Sequence, residues 1–137
     1  MKLRNDWDTI WGSLAESLSK RSCDPKFKVG AVIVTQDNTQ VLAVGYNGDH
    51  HGGPNRRDSM EAGKSGFLHA EINALIKMDY TNHKPKKMYI THMPCTVCSK
   101  AIVNGGIKEV VYINDYTDTH GITILASSGI KVRQIGT

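Results

Sequence analysis

His69, Cys95 and Cys98 are the residues of this chain whose types and spacing could do chemistry together. Two cysteines three positions apart, with one histidine upstream, offer the soft thiolates and the imidazole that a zinc ion takes. Structural zinc sites close with four protein ligands, whereas catalytic sites keep three and leave one position for water. A structural CxxC knuckle would want a second CxxC or CxxH, and the chain has none. Three ligands and an open position therefore predict a reactive centre, where the pKa of water can fall from 15.7 to about 7.

Glu71 stands two residues after His69. Residues two apart on a helix point away from each other, so the two are not expected to bind one ion side by side. A carboxylate in the first helical turn is instead placed to carry a proton to and from that water.

Elements must bring these residues to one point. Leu3, Trp7, Ile10, Trp11, Leu14 and Leu18 recur at three- and four-residue steps, which predicts an amphipathic helix with both tryptophans in the core. Pro25 ends the approach to the next element, since the residue before proline avoids helical geometry. Val29–Val34 and Val41–Tyr46 read as strands joined by the turn residues Gln36–Gln40, hence an antiparallel hairpin. A Gly-, His- and charge-rich loop of about twenty residues follows, a length that in a compact domain is usually functional.

A helix is predicted from Leu68 to Met78, carrying His69 and Glu71, then a strand from Lys87 to His92. Pro94 marks a helix start that puts Cys95 and Cys98 on one face, where the positive end of the helix dipole favours thiolate. A strand over Glu109–Asn114, a short helix over Gly121–Ser128 and a strand over Ile130–Ile135 complete an α-β-β-α-β-α-β-α-β order. Helices between the later strands imply parallel crossovers. The expectation is one domain over 1–137, α/β in class: a five-stranded mixed sheet with helices on both faces.

Composition narrows the partners. The 137 residues carry 17 Lys and Arg against 13 Asp and Glu, a formal charge of +4. That excess suits an anionic nucleotide, but it is scattered rather than striped and too weak to argue for a nucleic-acid partner, which is not expected. Three cysteines cannot all pair, so a reducing, cytoplasmic setting is expected. The N-terminal residues lack the apolar segment of a secretory signal, and the longest apolar run, Val29 to Val34, is far too short to span a membrane.

The His-x-Glu and Pro-Cys-x-x-Cys elements form the pattern of zinc deaminases acting on cytosine or adenine. From about Arg21 to Val132 the chain resembles the cytidine and deoxycytidylate deaminase superfamily, and most of all its deoxycytidylate (dCMP) branch. Arg21-Ser-Cys-Asp-Pro followed by Val29-Gly-Ala-Val-Ile-Val, the Gly45-Tyr46-Asn47-Gly48 loop and His69-Ala-Glu-Ile-Asn-Ala-Leu carry that resemblance. Nucleoside cytidine deaminases usually have Cys where His69 stands, and tRNA adenosine deaminases a Trp-Asn pair at Tyr46-Asn47.

The resemblance implies hydrolysis of dCMP to dUMP and ammonia, with zinc on His69, Cys95 and Cys98 and with Glu71 as proton shuttle. It also implies that Asn47 bonds the deoxyribose, that the Ala70 backbone meets the pyrimidine edge and that Tyr116 lies beside the base. Asn47 is equally readable as a left-handed turn residue, and Tyr116 as a loop tyrosine packed on the surface. Ser22, Lys26 and Lys28 are candidates for the 5′-phosphate by position and charge. Control by dCTP (activating) and dTTP (inhibiting), each with Mg2+, falls by resemblance to Gly48, Asp49, Arg56, Arg57, Glu61 and Lys64. A homo-oligomer, a hexamer by resemblance, is implied as well.

Some relatives hold a second zinc, but Arg56 and Arg57 stand where a further cysteine would be wanted. One zinc per chain is therefore expected, with Cys23 a buried thiol and His50 and His51 as loop residues that could also take a metal. Competing readings are a deaminase of another substrate (tRNA adenosine or dCTP) and a nucleotide-binding module that has lost catalysis. The intact Glu71 argues against the last.

Overall fold

The computed structural model describes residues 5–136. Four helices and five strands follow in chain order: α1 (Trp7–Ser19), β1 (Gly30–Thr35), β2 (Val41–Tyr46), α2 (Ala70–Lys77), β3 (Lys86–His92), α3 (Thr96–Asn104), β4 (Glu109–Asn114), α4 (His120–Ser127) and β5 (Lys131–Gln134). The strands form one mixed sheet in the order β2-β1-β3-β4-β5. β1 pairs antiparallel with both β2 and β3, while β3–β4 and β4–β5 are parallel. No helix among the described residues is long and apolar enough to cross a membrane.

The sheet is covered on both faces, the three-layer arrangement that the element order implies. Alternation along β1 splits its side chains. Ala31 and Ile33 pack with Ala70, Ala74, Met88, Ile102 and Leu125 under α2, α3 and α4. Val32 and Val34 pack with Trp11, Ala15, Tyr89 and Val111 under α1. All six residues of β1 are buried, so it reads as a run without polar alternation, β-branched from Val32 to Thr35.

One glycine per face lets a helix lie directly on the sheet. A Cβ at Gly30 would stand 2.0 Å from the Ala15 carbonyl oxygen of α1, and one at Gly45 would stand 2.4 Å from the Ala70 carbonyl oxygen of α2. The second contact matters for function, because it presses the first turn of α2 against the end of β2.

α1 departs from expectation. Trp11 is buried, but Trp7 is 48% exposed and stacks on Trp11 with ring centroids 5.3 Å apart. Ile10 is exposed too, and Leu3 lies outside the described residues. The helix is seated through Trp11, Gly12 and Ala15, so Trp7 and Ile10 flank the contact instead of filling it. Several bounds shift by one or two residues, as helix and strand ends commonly do.

Because β1 runs against β3, the start of β1 lies beside the end of β3, and the Gly30 N–H donates to Thr91 Oγ1 at 3.1 Å. Asn47 after β2, His92 ending β3 and Tyr116 after β4 gather at this same end. Ligand sites of parallel α/β units form at the C-terminal ends of their strands.

Candidate active site

Three donor atoms converge at this end: His69 Nδ1 lies 3.1 Å from Cys98 Sγ and 3.5 Å from Cys95 Sγ. All three lie within 4.8 Å of one another. With Zn–N near 2.0 Å and Zn–S near 2.3 Å, a tetrahedral site would set N and S about 3.6 Å apart. Two sulfurs and an imidazole at these separations fit a zinc ion.

Two helix starts build the cluster. His69 is the N-cap of α2, with extended backbone, and not a residue of the helix itself as the sequence suggested. Cys95 is the N-cap of α3, where its sulfur accepts from the Cys98 N–H at 3.4 Å. Hydrogen bonds from the Cys98 thiol and from His69 pull the Cys95 thiol down to about 4. The Cys98 thiol is driven up by its bond to Cys95 and by burial. Bonding to Cys95 in turn raises His69. Zinc binds the thiolate form, so loading the metal would displace the protons that these thiols share.

Glu71, in the first turn of α2, is only 4% exposed. Burial pushes its carboxyl above the usual range, against the pull of His69, and its side chain reaches Cys98. A carboxyl poised to hold a proton beside the metal ligands has the character of an acid–base group.

His69, Glu71 and Cys95 open into one pocket, also lined by Asp24, Phe27, Asn47, Arg57, His92 and Tyr116, with Cys98 buried behind them. Asn47 is buried and fixed: its Oδ1 accepts from the Val29 N–H at 2.9 Å and its Nδ2 donates to the Phe27 carbonyl at 2.8 Å. It is not among the residues with positive φ, so the left-handed reading does not hold. Tyr116 lines the pocket edge-on to Phe27, which meets His92 the same way. Burial lowers the His92 imidazole, favouring its neutral form. Ala70 lines the pocket and is fully buried.

Other expected residues lie elsewhere. Lys26 and Lys28 do not line the pocket. Lys26 Nζ donates to the Met60 carbonyl and Lys28 Nζ to that of Ser22, whose own hydroxyl accepts from the Asp24 N–H. Cys23 is exposed rather than buried, because Ser22 and Asp24 on either side take the inward positions.

The residues implied for effectors are divided. Gly48 bridges to Leu68 across the base of the long loop, and Asp49 accepts from the N–H groups of His50 and Asn55. Arg56 is exposed, and Glu61 and Lys64 form an exposed ion pair at 3.5 Å. Arg57 is different: it turns inward to Asp24 and lines the pocket. Sequence reasoning missed Asp24, Phe27 and His92 as pocket residues. Asp24 and Phe27 sit beside the Lys26 and Lys28 that were singled out for charge, and His92 sits three residues before Cys95.

Residues 5–114 match the family model described as the cytidine and deoxycytidylate deaminase zinc-binding region. The chain is 34% identical to a human deoxycytidylate deaminase over 127 residues, covering 86% of this chain and 71% of that one. It is also 34% identical to the deoxycytidylate deaminase of Mycobacterium phage D29 over 124 residues, covering 80% and 95%. Among solved structures, the dCMP deaminase of the cyanophage S-TIM5 in complex with dCMP and dUMP superposes with a TM-score of 0.83. That protein is 34% identical, with 98% of this chain and 100% of that one covered.

Proposed function

Because the chain belongs to the cytidine and deoxycytidylate deaminases, we propose that it hydrolyses dCMP to dUMP and ammonia and so feeds thymidine nucleotide synthesis. The observation that carries this reading is the convergence of His69, Cys95 and Cys98, with His69, Cys95 and the buried Glu71 lining one pocket. Near full-length likeness to a cyanophage enzyme solved with dCMP and dUMP supports the choice of substrate.

His69, Cys95 and Cys98 would hold the zinc, which supplies a Lewis acid able to bring the pKa of water to about 7. Glu71 takes the proton of the attacking water and gives it to N3 of the pyrimidine, which opens C4 to attack. It then takes the remaining proton from the hydroxyl added at C4, which becomes the uracil carbonyl, and delivers that proton to the departing 4-amino group as the C4–N bond breaks, so one carboxyl alternates between base and acid. Its burial suits both roles, since neither protonation state is locked by a bonded cation. Asn47 faces the deoxyribose, the Ala70 backbone the pyrimidine edge, and Tyr116 with Phe27 and His92 the flat surfaces of the nucleotide.

The wider reading takes residues 1–137 as one deaminase domain working in the cytoplasm as a homohexamer. dCTP activates and dTTP inhibits, each with Mg2+, at Asp49, Arg56, Glu61 and Lys64 of the long loop beside Gly48. Arg57 leaves that group because Asp24 occupies its guanidinium. Turnover of dCMP, dCTP, deoxycytidine and CMP, each with and without dCTP or dTTP, tests substrate and regulation together. Preference for dCMP supports the reading. Activity confined to an adenosine-bearing anticodon stem–loop overturns it.

A further inference from the structure

The long loop between β2 and α2 has no helix or strand of its own, yet Arg57, Gly63 and Ser65 from it line the active-site pocket. Few of its apolar groups hold it there: Met60 is 58% exposed, and only Phe67 at its end is buried. Polar contacts fasten it instead. The Arg57 Nη1 donates to both Asp24 oxygens at 2.9 Å, and the two side chains are only 5% and 3% exposed. The same guanidinium donates through Nε to the Ser59 carbonyl and through Nη2 to the Glu61 carbonyl, bracing the loop's own turn. Asp24 is shared inward, accepting from the Lys26 N–H at 2.8 Å and from Asn47 Nδ2 at 3.4 Å. One carboxylate thus joins the loop wall to Asn47.

We propose that the Asp24–Arg57 pair is a positioning clasp: it seats the 49–67 loop as a wall of the pocket, keeps Asn47 oriented, and so governs nucleotide affinity. This rests on the deaminase reading for the identity of the nucleotide. The reacting groups are carried by α2 and α3, which the sheet supports, and none of the clasp's hydrogen bonds reaches them. An interaction felt equally by bound substrate and transition state changes KM and leaves kcat nearly constant. Removing one member of a buried pair also strands the other charge. The loss should therefore be partly relieved when both are neutral.

The test compares zinc-loaded wild type with Arg57→Lys, Arg57→Met, Asp24→Asn and the Asp24→Asn/Arg57→Met double variant. Two readouts are taken: steady-state kinetics on dCMP and hydrogen exchange of the loop amides. Arg57→Met is expected to raise KM about tenfold or more with kcat within about threefold. Arg57→Lys keeps the charge without the Nε and Nη2 donors that brace the loop, and should fall between. The double variant should cost no more than Arg57→Met alone. Loop amides, including Asp58 N–H on the Ser65 carbonyl, should exchange faster while those of β1 and β3 do not.

Unchanged KM in all four variants overturns the clasp, whether or not the loop exchanges faster. So does a fall in kcat at constant KM, or simple additivity of the two single losses. If wild type does not turn over dCMP, the deaminase reading of the substrate fails. Loop exchange, with KM for whichever cytosine nucleotide is accepted, then decides on the clasp by itself.

Discussion

Two carboxyls on opposite faces of the sheet show how differently one functional group can be used. Glu71, on α2, is buried, and burial pushes its carboxyl up. Asp8, on α1, is about one-third exposed. Its oxygens accept from Arg133 Nη1 and Nη2 at 2.9 and 3.1 Å and from the Tyr89 hydroxyl. The Arg133 bonds hold Asp8 below the usual carboxylate range. Arg133 Nε also donates to Glu109 at 2.6 Å, which ties α1 to β4 and β5. A carboxyl satisfied on every side stabilises the ionised form and the fold with it. One that is buried without a bonded cation is a cost to folding that remains useful for moving protons. The comparison therefore predicts variants whose effects divide between activity and stability.

The largest effect is expected at the metal cluster. Cys98→Ala removes one of three donors and should abolish both bound zinc and turnover, read by elemental analysis of the purified protein against about one zinc per wild-type chain. Full zinc content in that variant would mean that the cluster is not the binding site. Glu71→Gln comes next and separates chemistry from binding. It should keep zinc and nucleotide affinity while losing about a hundred- to ten-thousand-fold in kcat. Activity above a tenth of wild type would remove Glu71 from the proton path.

The same contrast explains what the sequence made legible. His69, Glu71, Cys95 and Cys98 could be read because their types are rare and each sits at a helix start announced by local pattern. The strands could be read from β-branched runs, and their pairing from short turns and helical crossovers. Asp24 and Arg57 could not, because they are 33 residues apart and each looks like a solvated charge until the loop folds back. Lys26 and Lys28 looked like phosphate ligands, but their ammonium groups go to backbone carbonyls that a sequence does not point to. Trp7 shows the limit of periodicity, which marks a face of α1 but not where along that face the sheet ends.

Asp8→Asn tests the stabilising side. Its folded-state pKa is depressed, so the native state binds fewer protons than the unfolded chain as pH falls toward the unfolded value of about 3.9. The stabilisation is present in full above that value and is lost as pH drops through the lower folded one. Wild type should melt several degrees above Asp8→Asn at pH 7, and the gap should narrow as pH falls below the ordinary carboxylate range. A gap independent of pH would assign the effect to packing rather than to charge.

Tyr89→Phe should give the smallest effect and sharpens the comparison furthest. The ring is buried beneath α1 and would stay, while the hydroxyl that donates to Asp8 would go. Burial and the bond to Asp8 raise the phenol, so it donates at any physiological pH and does not titrate against the carboxylate. Deleting a donor to a carboxylate that keeps two bonds from Arg133 should cost about 1 kcal/mol, less than stranding an unsatisfied group. The cost should shrink when Asp8 is already Asn, because the pair is coupled. Turnover should not change, since Tyr89 does not line the pocket and its contacts lie on the opposite face. A loss of activity in Tyr89→Phe would mean that α1 and the metal cluster communicate through β3, and the two faces could no longer be treated as separate.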